Sequence, residues 1–196
     1  MLSKLTIVTI FSTILFIGVG LAQQMKQTNG SSNQTLSSAD RSFIGSAEEG
    51  NIAEIDSAKI VEQKSTDPAV KDFANRMTTD HTVASQELKV LAKSTGVTLP
   101  AESVAVKTNQ KNEWQNLSGA KLDEAYLRDQ LQDHKQAISV FENEIEHGQN
   151  EAVKDYAEKT LPTLQDHIRI AEDIAGKMGM SGKTGLTQEN KAIAAK

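Results

Sequence analysis

Three of the four histidines directly follow an aspartate: Asp80-His81, Asp133-His134 and Asp166-His167. Histidine is the commonest side-chain metal ligand and titrates near neutral pH, so imidazoles gathered at one level of a fold can hold a metal. Each of the three occupies a stripe of inward positions at three- and four-residue spacing. Met77, His81, Ala84 and Leu88 form one such stripe. Leu131, His134, Ile138 and Phe141 form the second, and Leu164, His167, Ala171 and Ile174 the third. That period belongs to an amphipathic helix with its apolar side in a core.

Four long helical patterns carry these stripes. The first covers about 40–64, where Ser38 or Asp40 can cap it, with stripe Ile44, Ala47, Asn51, Glu54/Ile55, Ala58 and Val61. The second starts at Asp67-Pro68, a capping residue followed by proline at the first helical position, and Gly96 ends it. The third covers about 120–147 and stops at Gly148, and the fourth covers about 150–176. Pro162 should either kink the fourth near Glu158 or start a new helix. At about 1.5 Å per residue, His81 lies roughly 20 Å from its helix start, His134 and Glu54 roughly 21 Å, and His167 roughly 25 Å. All four are near mid-helix, so they share a level whichever way each helix runs.

The expected cluster is therefore three histidines and Glu54. One reading is a metal site with Glu54, His81, His134 and His167 as ligands to Zn, Cu, Mn or Fe. Asp80, Asp133 and Asp166 stand about 100° around from their own histidines. They are placed to accept from a histidine on an adjacent helix and fix its tautomer. The other reading is a metal-free polar network, in which the core histidines bond Glu54, Asn51, Thr160 or backbone. A carboxylate-bridged di-iron site needs Glu-x-x-His. The residues three before the histidines are Thr78, Leu131 and Leu164, so that chemistry is not expected. No catalytic residue is assigned, because no nucleophile elbow or phosphate loop is present. His147 reads as a helix C-terminal cap, and Glu142, Glu144 and Glu146 as a solvated acidic face.

The chain repeats itself. Ala69-Val70-Lys71-Asp72-Phe73-Ala74 recurs as Ala152-Val153-Lys154-Asp155-Tyr156-Ala157. Each copy opens the second helix of a pair with a short connection, which makes two antiparallel hairpins. The connection over about 97–119 is much longer and holds the only Trp, Trp114, in a possible short helix. Two hairpins joined by a long crossover give an all-α, ferritin-like four-helix bundle. Aromatics at 4% and the absence of cysteine agree with a helical core that has neither disulfide nor thiolate chemistry. A net charge of −5 with mixed signs and no basic stripe argues against a nucleic-acid partner.

Residues 1–22 read as a secretory signal peptide. Lys4 precedes an apolar run, and Gly20-Leu21-Ala22 supplies small residues before a cut after Ala22. The alternative is a retained anchor, although the run is only marginally long enough to span. Residues 23–39 read as a flexible polar linker, 40–176 as the bundle and 177–196 as a mobile tail. No membrane span is expected after cleavage.

The stretches DPAVKDFANRMTTDHTVASQELKVLAKSTGVTLP, YLRDQLQDHKQAISVFENEI and VKDYAEKTLPTLQDHIRIAEDI resemble an uncharacterised family of secreted bacterial proteins, domain of unknown function 4142. The resemblance covers about 40–176. It implies a ferritin-like fold and export to the periplasm or cell envelope, and no demonstrated reaction. Two functions remain open: an exported transition-metal binder, and a non-enzymatic envelope or stress protein acting by contact with a cell-envelope partner. An enzyme would need an open coordination position and a substrate path, and the sequence shows neither.

Overall fold

The computed structural model describes residues 36–100, 114 and 116–180. The proposed signal peptide, most of the linker, most of the crossover and the tail beyond 180 lie outside the described residues. Four long helices occupy the rest: α1 (Ser38–Lys64), α2 (Pro68–Thr95), α3 (Ala120–His147) and α4 (Glu151–Lys177). No described helix is long and apolar enough to cross a membrane.

The ends are set by local chemistry. Asp67 caps α2 by accepting from the N–H groups of Ala69 and Val70, and Pro68 follows where a missing N–H costs nothing. Gly96, at φ 70°, closes the same helix in a left-handed conformation that suits glycine. Asn150 caps α4 in the same manner as Asp67 caps α2. α1 begins earlier than the expected residue 40. Ser37 is its cap, and Asp40 closes a capping box by accepting from the Ser37 N–H at 2.8 Å. Leu36 before it is buried in the core, so the packed fold begins ahead of the cap. Pro162 starts no new helix. α4 runs through it unbroken, and Thr160 Oγ1 donates to the Tyr156 carbonyl at 2.8 Å one turn earlier.

Cross-helix contacts fix the topology. Along α1 and α3, Asp40 meets the backbone of Gln149 beyond the end of α3 and Glu54 meets Gln130, so these two helices are antiparallel. Along α2 and α4, Asp80 meets His167 and Ala84 meets Tyr156, again antiparallel. With each hairpin antiparallel, α2 and α3 run the same way. The connection between α2 and α3 therefore joins two helices that run the same way, as in ferritin-like bundles. At its far end Trp114 is buried, stacked edge-on against Tyr126 at 5.7 Å between ring centroids.

The core consists of two apolar clusters with a polar layer between. One end holds Phe73, Met77, Trp114, Leu122, Tyr126 and Leu127. The other holds Phe43, Ile44, Leu88, Phe141, Val153 and Tyr156. Between them lie Asn51, Glu54, His81, Gln130, His134 and His167, each no more than 6% exposed. Burying a large aliphatic or aromatic side chain contributes about 1.5–3 kcal/mol, and this layer forgoes that gain at mid-bundle.

A second buried polar group locks one end of the bundle. Glu144 is 3% exposed, so the expected solvated face of Glu142, Glu144 and Glu146 does not form as a unit. The reason is phase: Glu144 lies three residues past Phe141, on the buried stripe. Burial and the neighbouring Asp40 carboxylate push its carboxyl up to about 7. Burial alone would raise Asp40 too, but the bonds it accepts from Gln149 and Ser37 outweigh this and hold it below the usual range. Glu144 thus keeps its proton in the fold between its ordinary 4.5 and about 7, where the unfolded chain has lost it. Its contribution to stability falls as pH rises through that window. Relative to wild type, Glu144→Gln is expected to gain stability steadily from pH 4.5 to 7, read as urea midpoints of the two proteins side by side. A pH-independent difference would refute this.

Candidate metal centre

The three histidines come together from three helices. One ring nitrogen from each of His81, His134 and His167 lies within 4.8 Å of the others, and all three residues are buried. His134 Nε2 and His167 Nδ1 are 3.2 Å apart. For comparison, two nitrogens on a tetrahedral metal with bonds of about 2.0–2.1 Å stand roughly 3.3 Å apart.

Each ring is held from outside by an oxygen. His81 Nδ1 is 2.9 Å from Asn51 Oδ1. His134 Nδ1 is 3.1 Å from the Gln130 carbonyl, one turn back on α3. His167 Nε2 is 2.9 Å from Asp80 Oδ2 on α2. A carbonyl or carboxylate oxygen can only accept, so each outer nitrogen carries the hydrogen. In a neutral ring the inner nitrogen is then a bare lone pair. The orientation of Asn51 follows from a longer chain. Tyr156 Oη donates to the Ala84 carbonyl at 3.3 Å and accepts from Asn51 Nδ2 at 3.4 Å. That leaves Asn51 Oδ1 facing His81. His81 Nε2 is buried and has no hydrogen-bond partner among the described residues.

Burial disfavours the charged form of His81 and His167, so these two rings are neutral near pH 7. Burial drives His81 down to about 3, with Glu54 opposing and the other two histidines reinforcing the shift. Burial also lowers His167, against the pull of Asp80. Asp80 is itself held below the usual carboxylate range: burial raises it, and its bonds to His167 and Arg76 more than offset that. Arg76 spans the α2–α4 seam on the surface, 3.1 Å from Asp80 and 2.6 Å from Asp166.

On the opposite side, between α1 and α3, a cleft of about 370 Å³ reaches the layer. His81, His134 and Glu54 are among its walls. Small residues leave the space open: Ala47, Gly50 and Ala53 on α1 face Ala137 on α3.

Residues 25–174 match the family model of the domain of unknown function DUF4142. The chain belongs to that family. No curated protein matches it. The DUF4142 bundle is similar in fold to a DUF305 fragment from Deinococcus radiodurans, with a TM-score of 0.66 at 14% identity, covering 72% of this chain and 98% of that one. It is also similar to a DUF305 protein from Streptomyces coelicolor, described as a candidate secreted protein. There the TM-score is 0.63 at 13% identity, over 72% of this chain and 94% of that one. At such identities the likeness concerns the fold.

Among the residues singled out from the DUF4142 sequence, His81, His134 and His167 converge. Glu54 lies in the same layer at 6% exposure but outside the convergent set, and its Oε2 accepts from Gln130 Nε2 at 2.5 Å. Asp80 accepts from a histidine of the neighbouring helix. Asp166 instead pairs at the surface with Arg76 and Arg169, and Asp133 lines the cleft. His147 is exposed at the end of α3, its Nδ1 3.3 Å from the Asn143 carbonyl. Sequence reasoning did not assign Gln130, Tyr156 or Arg76 to the site. Gln130 and Arg76 each lie four residues before a site residue, which is the available signal.

Proposed function

We propose that this DUF4142 chain is an exported helical bundle that binds one transition-metal ion through His81 Nε2, His134 Nε2 and His167 Nδ1. The observation that carries the proposal is the set of three outer oxygens. They turn three neutral imidazoles so that three lone pairs converge in a buried space. Histidine ligands commonly donate their second N–H to a carboxylate or carbonyl in this manner. Glu54, buried in the same layer, is the carboxylate that would offset the charge of a divalent ion and serve as its fourth donor. Three imidazoles favour Cu and Zn over Fe, and Mn least, by ligand softness and the usual order of divalent affinities. The apolar N-terminal segment, and the description of the Streptomyces neighbour, support export.

A metal-free polar network accounts less well for the contacts. The line from the Gln130 carbonyl through His134 and His167 to Asp80 has three gaps, each between acceptor positions. Two neutral rings carry two hydrogens. A metal ion in the third gap relieves that shortage without the extra proton that burial of the rings opposes.

Asp80→Asn and Asn51→Leu are expected to weaken Zn²⁺ binding about 10- to 100-fold each without removing a ligand. Competition against a chromophoric chelator measures this. Unchanged affinity in both variants would count against the proposed roles of the outer oxygens.

A further inference from the structure

The two sides of the histidine layer differ in charge. On the α2–α4 side the Arg76 guanidinium lies over Asp80 and Asp166, so a cation approaching there meets a positive group. On the α1–α3 side the cleft contains Glu49, Glu54 and Asp133, and among the described residues no lysine or arginine lines it. The carboxylates are graded in depth: Glu49 and Asp133 are part-buried, and Glu54 is 6% exposed. His81, whose Nε2 is buried without a hydrogen-bond partner among the described residues, forms part of the same wall. At about 370 Å³ the cleft is many times the space that one water needs. That is ample for a divalent ion with its hydration shell.

We infer that the α1–α3 cleft is the entrance through which a hydrated divalent cation reaches the three histidines, with Glu49 and Asp133 attracting it and Glu54 receiving it inside. The inference rests on the metal-binding reading above. Clefts lined by one sign of charge concentrate counter-ions and raise association rates by about 10- to 1000-fold, an effect that salt suppresses. Ala137, Val140, Phe141 and Leu164 supply an apolar part of the wall, and the charged groups of the lining are all carboxylates.

Stopped-flow absorbance of Co²⁺ binding to the purified protein tests the route. Combining Glu49→Gln with Asp133→Asn is expected to slow association about tenfold at low ionic strength, with the difference shrinking as salt is added. Ala137→Phe, which narrows the passage, is expected to slow association and dissociation alike and leave affinity nearly unchanged. Thermal melts of each variant establish that the bundle is intact. Co²⁺ binding with wild-type rates in the charge variant would overturn the route while leaving the metal site standing. A wild-type protein that binds no Co²⁺ would overturn the metal reading and the route with it.

Discussion

His134→Ala is expected to abolish metal-dependent stabilisation and to leave a folded bundle. His134 forms one corner of a near-equilateral triangle of rings, 5.6 Å from His81 and 5.2 Å from His167 between centroids. Without it two nitrogens remain, on α2 and α4, and the α3 side of the site is gone. A ligand that binds only the native state stabilises it by about 4 kcal/mol at a free concentration 1,000 times its Kd. For a chain of this size that corresponds to a rise in Tm of roughly 10 °C. The wild type should show this shift on addition of Zn²⁺, and His134→Ala should show none. The comparison is made within each protein, with and without metal. The cavity left by the ring therefore changes the baseline and not the readout. An equal Zn²⁺ shift in both proteins would mean that the metal binds elsewhere.

Asp40→Ala is expected to be the most damaging single change outside the central layer, costing about 3–5 kcal/mol. Asp40 is fully buried and accepts from the Ser37 N–H at 2.8 Å and the Gln149 N–H at 2.9 Å. It also shares the Glu144 proton. Alanine would leave two backbone donors and a buried carboxyl without their partner, and each unmet group carries its own desolvation cost. It would also cut the tie between the start of α1 and the α3–α4 turn. Chemical denaturation at pH 6 checks this. A loss below 1 kcal/mol would show that water replaces the carboxylate at little cost.

The elements of the bundle were legible in the sequence because their signals are local. Asp67-Pro68 and Gly96 mark the ends of α2 through capping chemistry that acts within one turn. The predicted span 120–147 coincides with α3. The levels of the histidines followed from helical rise alone, and their facing from the apolar neighbours in each stripe. What was not legible depends on partners far away in the chain. Asp80 and Asp166 have the same local context, each just before a histidine on the inner stripe. Asp80 reaches His167, while Asp166 turns to Arg76. The repeat explains part of the difference. His81 stands twelve residues after Ala69, but His167 stands fifteen after Ala152, so the two copies are offset by nearly one turn.

Glu144 is a similar case. Its stripe position could be read from Phe141, but a carboxylate in that phase ordinarily argues for solvent. Only the buried Asp40, 104 positions earlier in the chain, makes an inward, protonated Glu144 tolerable. Gln130 and Tyr156 were hidden for the same reason, since their roles arise from Glu54 and Asn51 on another helix. The cleft, too, comes from small residues on two helices 80 to 90 positions apart, whose pairing exists only after folding.

X-ray absorption at the zinc edge of the Zn²⁺-loaded protein tests the central claim most directly. The account predicts one zinc per chain, with a first shell of three imidazole nitrogens at about 2.0–2.1 Å and one further nitrogen or oxygen donor. A shell made only of oxygens, or a chain that retains no zinc on desalting, would contradict it.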